Sequence, residues 1–136
     1  MKSFLIQLKP VNTDAGTLLL RIIFGAVFIY AGYFKLTHYS MILPMWKDYL
    51  GIGLTFSFNL VLWSELIGGT MVVIGLLTRL AVIPLFIIMI VVCFIAMASK
   101  PLTEKEFEIF LLLASLVIFN AGSGKYAVDA ILQRKH

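Results

Sequence analysis

Apolar residues fall into four long blocks along this chain, each closed by a short polar break. The blocks cover residues 15–36, 54–77, 80–99 and 107–121. A helix needs about 20 mostly apolar residues to cross a bilayer, and the first three blocks meet that length. The fourth is short in strictly apolar residues and is extended back through Glu106 toward Thr103, which predicts a helix over 104–121. End signals agree with these limits. Thr13 and Asp14 offer N-caps for the first helix. Thr103, Glu104, Lys105 and Glu106 fit a capping box for the fourth. Gly122 and Gly124 can end it. Pro101 follows the third block, and Pro84 lies close to that helix's start, where a missing N–H is better tolerated. Between the second and third blocks stand only Thr78 and Arg79, so those helices are expected as a tight antiparallel hairpin. Residues 37–53 form a longer connection whose Tyr39, Trp46 and Tyr49 predict an interfacial segment with a short helix.

Composition strengthens this pattern. The chain is 61% hydrophobic and 13% charged, where a soluble domain carries roughly 25% charged residues. Mean hydropathy is +1.01. At 136 residues there is no room for a second sizeable domain. The expected fold is therefore one all-α domain over 1–136, a polytopic bundle of four transmembrane helices. The first block is too long for a signal-peptide core and is expected to be retained. Four spans place both termini on one side. That side holds Lys2, Lys9, Arg79, Lys125, Arg134 and Lys135 against Lys35, Lys47, Lys100 and Lys105 on the other, which favours cytoplasmic termini. The net charge of +4 reads as this orientation signal and as attraction to anionic headgroups. Nucleic acid is not an expected partner, because no basic patch is interleaved with aromatics.

Charge inside the blocks locates the candidate chemistry. Glu65 is the single charge in 54–77. A carboxylate at membrane depth is costly unless paired, protonated or hydrated, so it marks a site or a buried structural contact. Arg21 and Lys35 are the candidate partners. On the first helix Arg21, Gly25, Phe28, Gly32 and Lys35 share one stripe; on the second, Phe58, Leu62, Glu65, Gly69 and Val72 do the same, with Gly68 beside them. Glycines on both faces allow close approach, or the admission of a ligand. Arg21 lies about two turns in from the terminal side, so depth favours Arg21 over Lys35 as the partner of Glu65. Two readings stay open: a structural Arg–Glu bridge, or a proton-accepting or ligand-binding carboxylate in a small polar cavity.

Other residues carry less. Cys93 lies in an apolar run, without a second cysteine for a disulfide, and reads as a packing residue. His38 and His136 lack the spaced partners that haem or metal ligation needs. Glu104, Glu106 and Glu108 suit a helix N-terminus more than a metal site. Gly122-Ser123-Gly124-Lys125 is a poor phosphate loop, with Phe119 in place of the first glycine and Tyr126 in place of the final Ser or Thr. No metal site and no cofactor motif is evident.

Four pieces in order resemble the DoxX family of small four-helix bacterial and archaeal membrane proteins. They are Arg21-x-x-x-Gly25 through Gly32-x-x-Lys35-Leu36, Glu65-Leu66-Ile67-Gly68-Gly69, Gly75-Leu76-Leu77-Thr78-Arg79, and Gly122-Ser123-Gly124-Lys125-Tyr126-Ala127-Val128-Asp129. The family commonly has serine where this chain has Ala127, which weakens a ligand role for the last piece. The resemblance covers about residues 18–132 and implies a multi-pass protein of the plasma membrane. Its namesake is a subunit linked to sulfur-compound oxidation and quinone reduction, and other members are tied to redox or thiol-stress complexes. It does not settle whether this chain is an enzyme. The leading expectation is a subunit, non-catalytic or interacting with a quinone or other lipid-like molecule, that supports a membrane redox process. The expected partners are the bilayer and redox-complex proteins, with a homo-oligomer also compatible. The rivals are a scaffold, anchor or assembly factor, whose contact surfaces would be the aromatic loop and the tail Arg134-Lys135, and, less favoured, a small transporter.

Overall fold

A computed structural model describes residues 12–134. Lys2, Lys9, Lys135 and His136, used above for orientation, tail and ligand arguments, lie outside the described residues, as does the side chain of Arg134. The described chain is helical, with no strand: α1 (Thr13–Thr37), α2 (Tyr39–Ile42), α3 (Leu54–Ile74), α4 (Thr78–Val91), α5 (Glu106–Ala121) and α6 (Val128–Arg134). A π-helical turn, Val92–Ala96, continues α4. Among the described residues three helices are long and apolar enough to cross a membrane: Thr13–Thr37, Leu54–Ile74 and Thr78–Ala96. With 16 residues, α5 is about 24 Å long, short of the ~30 Å hydrocarbon core.

Local chemistry moves several ends from their expected places. The first helix is capped by Asn12, whose extended backbone lets its side chain accept from the Ala15 N–H at 3.0 Å. Asp14 is diverted to the Lys125 N–H, 3.1 Å away. α3 stops at Gly75, earlier than expected. There the left-handed glycine lets its own N–H bond to Val72 and the Leu76 N–H to Met71, a Schellman closure. The interhelical link is thus Gly75, Leu76 and Leu77, while Thr78 and Arg79 already belong to α4. The predicted capping box at Thr103 does not form. It needs an extended N-cap residue, and Thr103 is wound into the 3₁₀ turn Leu102–Glu104, so α5 starts at Glu106 without a side-chain cap.

The helices α1, α3, α4 and α5 pack in a ring, with the most extensive contact between α1 and α3. Glycine makes that contact close. A Cβ at Gly25 would fall 2.6 Å from the Gly69 carbonyl oxygen, and one at Gly32 would fall 2.8 Å from Leu66. Gly68 faces α4 instead, at ordinary distance from Ala81 and Leu85. α5 runs antiparallel along α4: Lys105 meets Cys93 at one end, and Arg79 meets Phe119 and Asn120 at the other. Phe24, Phe28, Val72, Leu85 and Ile118 fill the centre, while Ile23, Tyr30, Trp63, Ile67 and Phe110 face outward. An apolar exterior around buried Arg21 and Glu65 reverses the soluble arrangement and suits lipid as solvent.

Candidate functional site

The packed register decides the partner of Glu65. Its Oε2 lies 2.8 Å from Lys35 Nζ, so the expected preference for Arg21 is corrected. Antiparallel packing seats Gly25 against Gly69 and Gly32 against Leu66. Lys35, one turn beyond Gly32, therefore comes level with Glu65. Arg21, one turn before Gly25, comes level with the end of α3. Its Nη1 donates to Val72 O at 3.2 Å and Val73 O at 3.0 Å, and its Nη2 to Tyr126 O at 2.5 Å. This cation closes the C-terminal carbonyls of α3, where the helix dipole favours it. Arg21 is fully buried, and its Nε has no partner among the described residues.

Glu65 and Lys35 border a chamber of about 570 Å³, within the size range of small-molecule sites. The side chain of Glu65 is 5% exposed and that of Lys35 18%. Leu60, Val61, Ile87, Ile88 and Val91 supply apolar walls, and Trp46 and Tyr49 close the loop side. Local structure fixes this loop. Asp48 accepts from the N–H groups of Gly51, Ile52 and Gly53. Trp46 Nε1 donates to Ser57 Oγ at 3.3 Å, and its ring meets Phe58 edge-on at 5.1 Å. Because α4 begins already at Thr78, Pro84 lies inside the helix and not near its start as expected, and it removes one ladder donor, while the π turn contributes Val92 and Ala96 to the same wall. Lys105 Nζ donates to Cys93 O within that turn, at 3.2 Å. Neither the π turn nor the role of Lys105 has a signature in apolar periodicity.

The C-terminal motif forms a second cluster, at the opposite end of the bundle. Asp129 Oδ1 accepts from the Leu77 N–H at 2.8 Å, and its other oxygen accepts from Thr78 N and Ser123 Oγ. The Ser123 and Thr78 hydroxyl oxygens also lie within hydrogen-bond distance, 2.8 Å apart. Burial opposes the Asp129 charge, but the Ser123 hydroxyl, the two N–H groups and the Arg21 charge outweigh it and hold this carboxyl below its ordinary pKa. Ala127 packs on Gly75, where an added Cβ would lie 2.3 Å from its own. These bonds tie α6 to the α3–α4 link and make the cluster a latch. His38 stacks on Phe34 at 4.3 Å and bonds Thr37 and the Phe34 carbonyl. Among the described residues no three of His, Cys, Asp and Glu gather as a metal site.

The model of the DoxX family matches residues 16–98. The chain belongs to the DoxX family. No curated protein and no solved structure matches it. The match takes in α1, α3 and α4, hence Arg21, Lys35, Glu65 and the glycines Gly25, Gly32, Gly68 and Gly69. The Gly122–Asp129 motif lies beyond it. Family membership and the apolar helices together make this DoxX protein a multi-pass membrane protein.

Proposed function

We propose that this DoxX protein is a membrane subunit that holds the headgroup of a quinone, or of a chemically similar lipid, against the Lys35–Glu65 pair, in support of a redox process completed by a partner protein. The observation that carries this reading is a buried ion pair opening onto an apolar chamber walled by Trp46 and Tyr49. A headgroup oxygen can accept from the Lys35 ammonium, while Glu65 accepts a hydrogen bond or a proton. The aromatic rings offer a stacking face. Reduction of a quinone to a quinol takes two electrons and two protons. The electrons come from the partner's redox centre, and this chain binds, orients and exchanges protons. In this reading α5 completes a fourth span, both ends of the chain face the cytoplasm, and the membrane is the bacterial or archaeal plasma membrane.

The competing reading is a scaffold in which the ion pair only fixes helix register, now as Lys–Glu and not Arg–Glu. The deciding experiment is mass spectrometry of the lipids and quinones retained after mild detergent purification, beside Glu65→Gln. A stoichiometric quinone in the parent, lost from a Glu65→Gln protein that remains folded, supports binding at the pair. Failure of both proteins to retain or rebind a quinone, with partner assembly intact, supports the scaffold.

A further inference from the structure

The chamber shares part of its wall with a neighbouring hollow. Leu60, Ser64 and Pro84 also border a second hollow, of about 540 Å³, on the outer surface between α3 and α4. Along α3 its lining residues recur as Phe56, Asn59, Trp63, Ile67 and Met71, with Leu60, Ser64 and Gly68 interleaved. That is a single stripe at helical spacing. Leu80, Ala81 and Pro84 form the facing wall on α4. From Ser64 to Met71 the furrow runs about 10 Å. Beneath it Gly68 faces α4 at ordinary contact distance, with the Ala81 carbonyl oxygen 3.4 Å from where a Cβ would stand.

The two hollows differ in chemistry. The chamber holds the ion pair. The furrow has only Asn59 and Ser64 as polar lining side chains, and Asn59 is satisfied by Tyr39 and the Thr55 carbonyl. An apolar chamber with one buried ion pair, sharing a wall with an apolar, outward-facing track, matches a molecule with a polar head and a hydrocarbon tail. We infer that the α3–α4 furrow seats the hydrocarbon tail of the ligand whose headgroup lies at Lys35 and Glu65, and that this ligand moves between bilayer and chamber laterally, past Leu60, Ser64 and Pro84. The inference rests on the headgroup site proposed above and adds the tail's path and the route of access. Lipid tails are as apolar as the furrow, so seating a tail there gains packing but little hydrophobic free energy. The furrow therefore orients the headgroup more than it tightens binding. Asn59, held by Tyr39, stands on the same stripe on the loop side of Ser64, so the tail runs the other way, toward Met71.

The chain's two tryptophans report on the two halves separately, Trp46 in the chamber and Trp63 in the furrow. Trp63→Phe and Trp46→Phe each leave one reporter, and because Trp46 also lines the headgroup site, the Trp63 reading is made only at concentrations where mass spectrometry shows that Trp46→Phe retains the tailed compound. Both are reconstituted in unbrominated lipid and titrated with a tailless benzoquinone and with the same ring carrying a tail brominated near its end. The expected result is saturable Trp46 quenching by both compounds and saturable Trp63 quenching by the brominated one alone. Ser64→Phe in the Trp46→Phe background should remove the saturable Trp63 component. Ser64→Ala should retain it. If both compounds quench Trp46 saturably but the brominated tail quenches Trp63 no more than brominated phospholipid does, the headgroup site stands and the furrow inference is overturned. If neither compound quenches Trp46, in a protein with parent-like circular dichroism, the headgroup reading is lost and the furrow goes with it.

Discussion

The Lys35–Glu65 pair makes a quantitative test of how the bundle handles charge at membrane depth. In Lys35→Met, Glu65 is left as a carboxylate with a side chain only 5% exposed and no cation within bonding reach among the described residues. Removing one partner of a buried pair costs about 3–5 kcal/mol, because the remaining charge keeps its desolvation without its compensation. The reciprocal change, Glu65→Leu, is milder. Lys35 is 18% exposed on a long flexible stem near the end of α1, so its ammonium can move toward water, and a loss of about 1–3 kcal/mol is expected. The double variant Lys35→Met/Glu65→Leu removes both charges and fills the space with apolar atoms, which is often close to neutral. A coupling of about 4–8 kcal/mol in magnitude follows, the double variant's change minus the sum of the singles, at or above the ~0.5–3 kcal/mol usual for residues in contact because each single variant strands a charge. The assay is reversible unfolding in mixed micelles of mild detergent and dodecyl sulfate, followed by circular dichroism on all four proteins. A coupling below about 0.5 kcal/mol, as for distant independent sites, would refute the pairing and the argument from register. Quinone retention by the double variant adds the functional answer: a folded double variant that still retains ligand removes the pair from the binding site.

Close packing predicts that Gly25→Ala destabilises by about 1–3 kcal/mol, because its Cβ would fall 2.6 Å from the Gly69 carbonyl oxygen; Gly16→Ala, with nothing within 4 Å, should be neutral or stabilising by up to about 1 kcal/mol in the same mixed-micelle unfolding assay. Arg21→Lys keeps the charge but cannot reproduce the fork that reaches Val72, Val73 and Tyr126; a loss of about 1.5–3 kcal/mol is expected, with faster proteolysis after Gly122 while circular dichroism is retained. Asp129→Asn weakens the closure of the Leu77 and Thr78 N–H groups, at a cost of about 1 kcal/mol as for loss of a helix cap. The depressed pKa of Asp129 gives its charge a stabilising contribution that is present above the ordinary aspartate range and lost as pH falls through the lowered value, below about pH 4; the parent should lose latch protection in hydrogen exchange there, and Asp129→Asn should show no such step.

Hydropathy and helical period determine a good deal of this protein without any coordinates. They place the apolar helices, the buried stripes of α1 and α3, and the glycines at the α1–α3 seam, because the sequence distance between residues on one helix fixes which face they share. They also mark Glu65 and Arg21 as buried, since a charge among apolar residues has few stable positions in lipid. What they leave open is register between helices. Sliding α1 along α3 preserves each stripe but changes which residues meet, and only the fit of Gly25 to Gly69 and Gly32 to Leu66 selects one position. That fit gives Lys35 to Glu65 and Arg21 to the end of α3. The latch at Asp129, the π turn bound by Lys105, and the shared wall of chamber and furrow likewise depend on groups far apart in the chain. Their local sequence is compatible with several partners, and the tertiary structure decides among them because each buried donor and charge needs a particular neighbour within bonding distance.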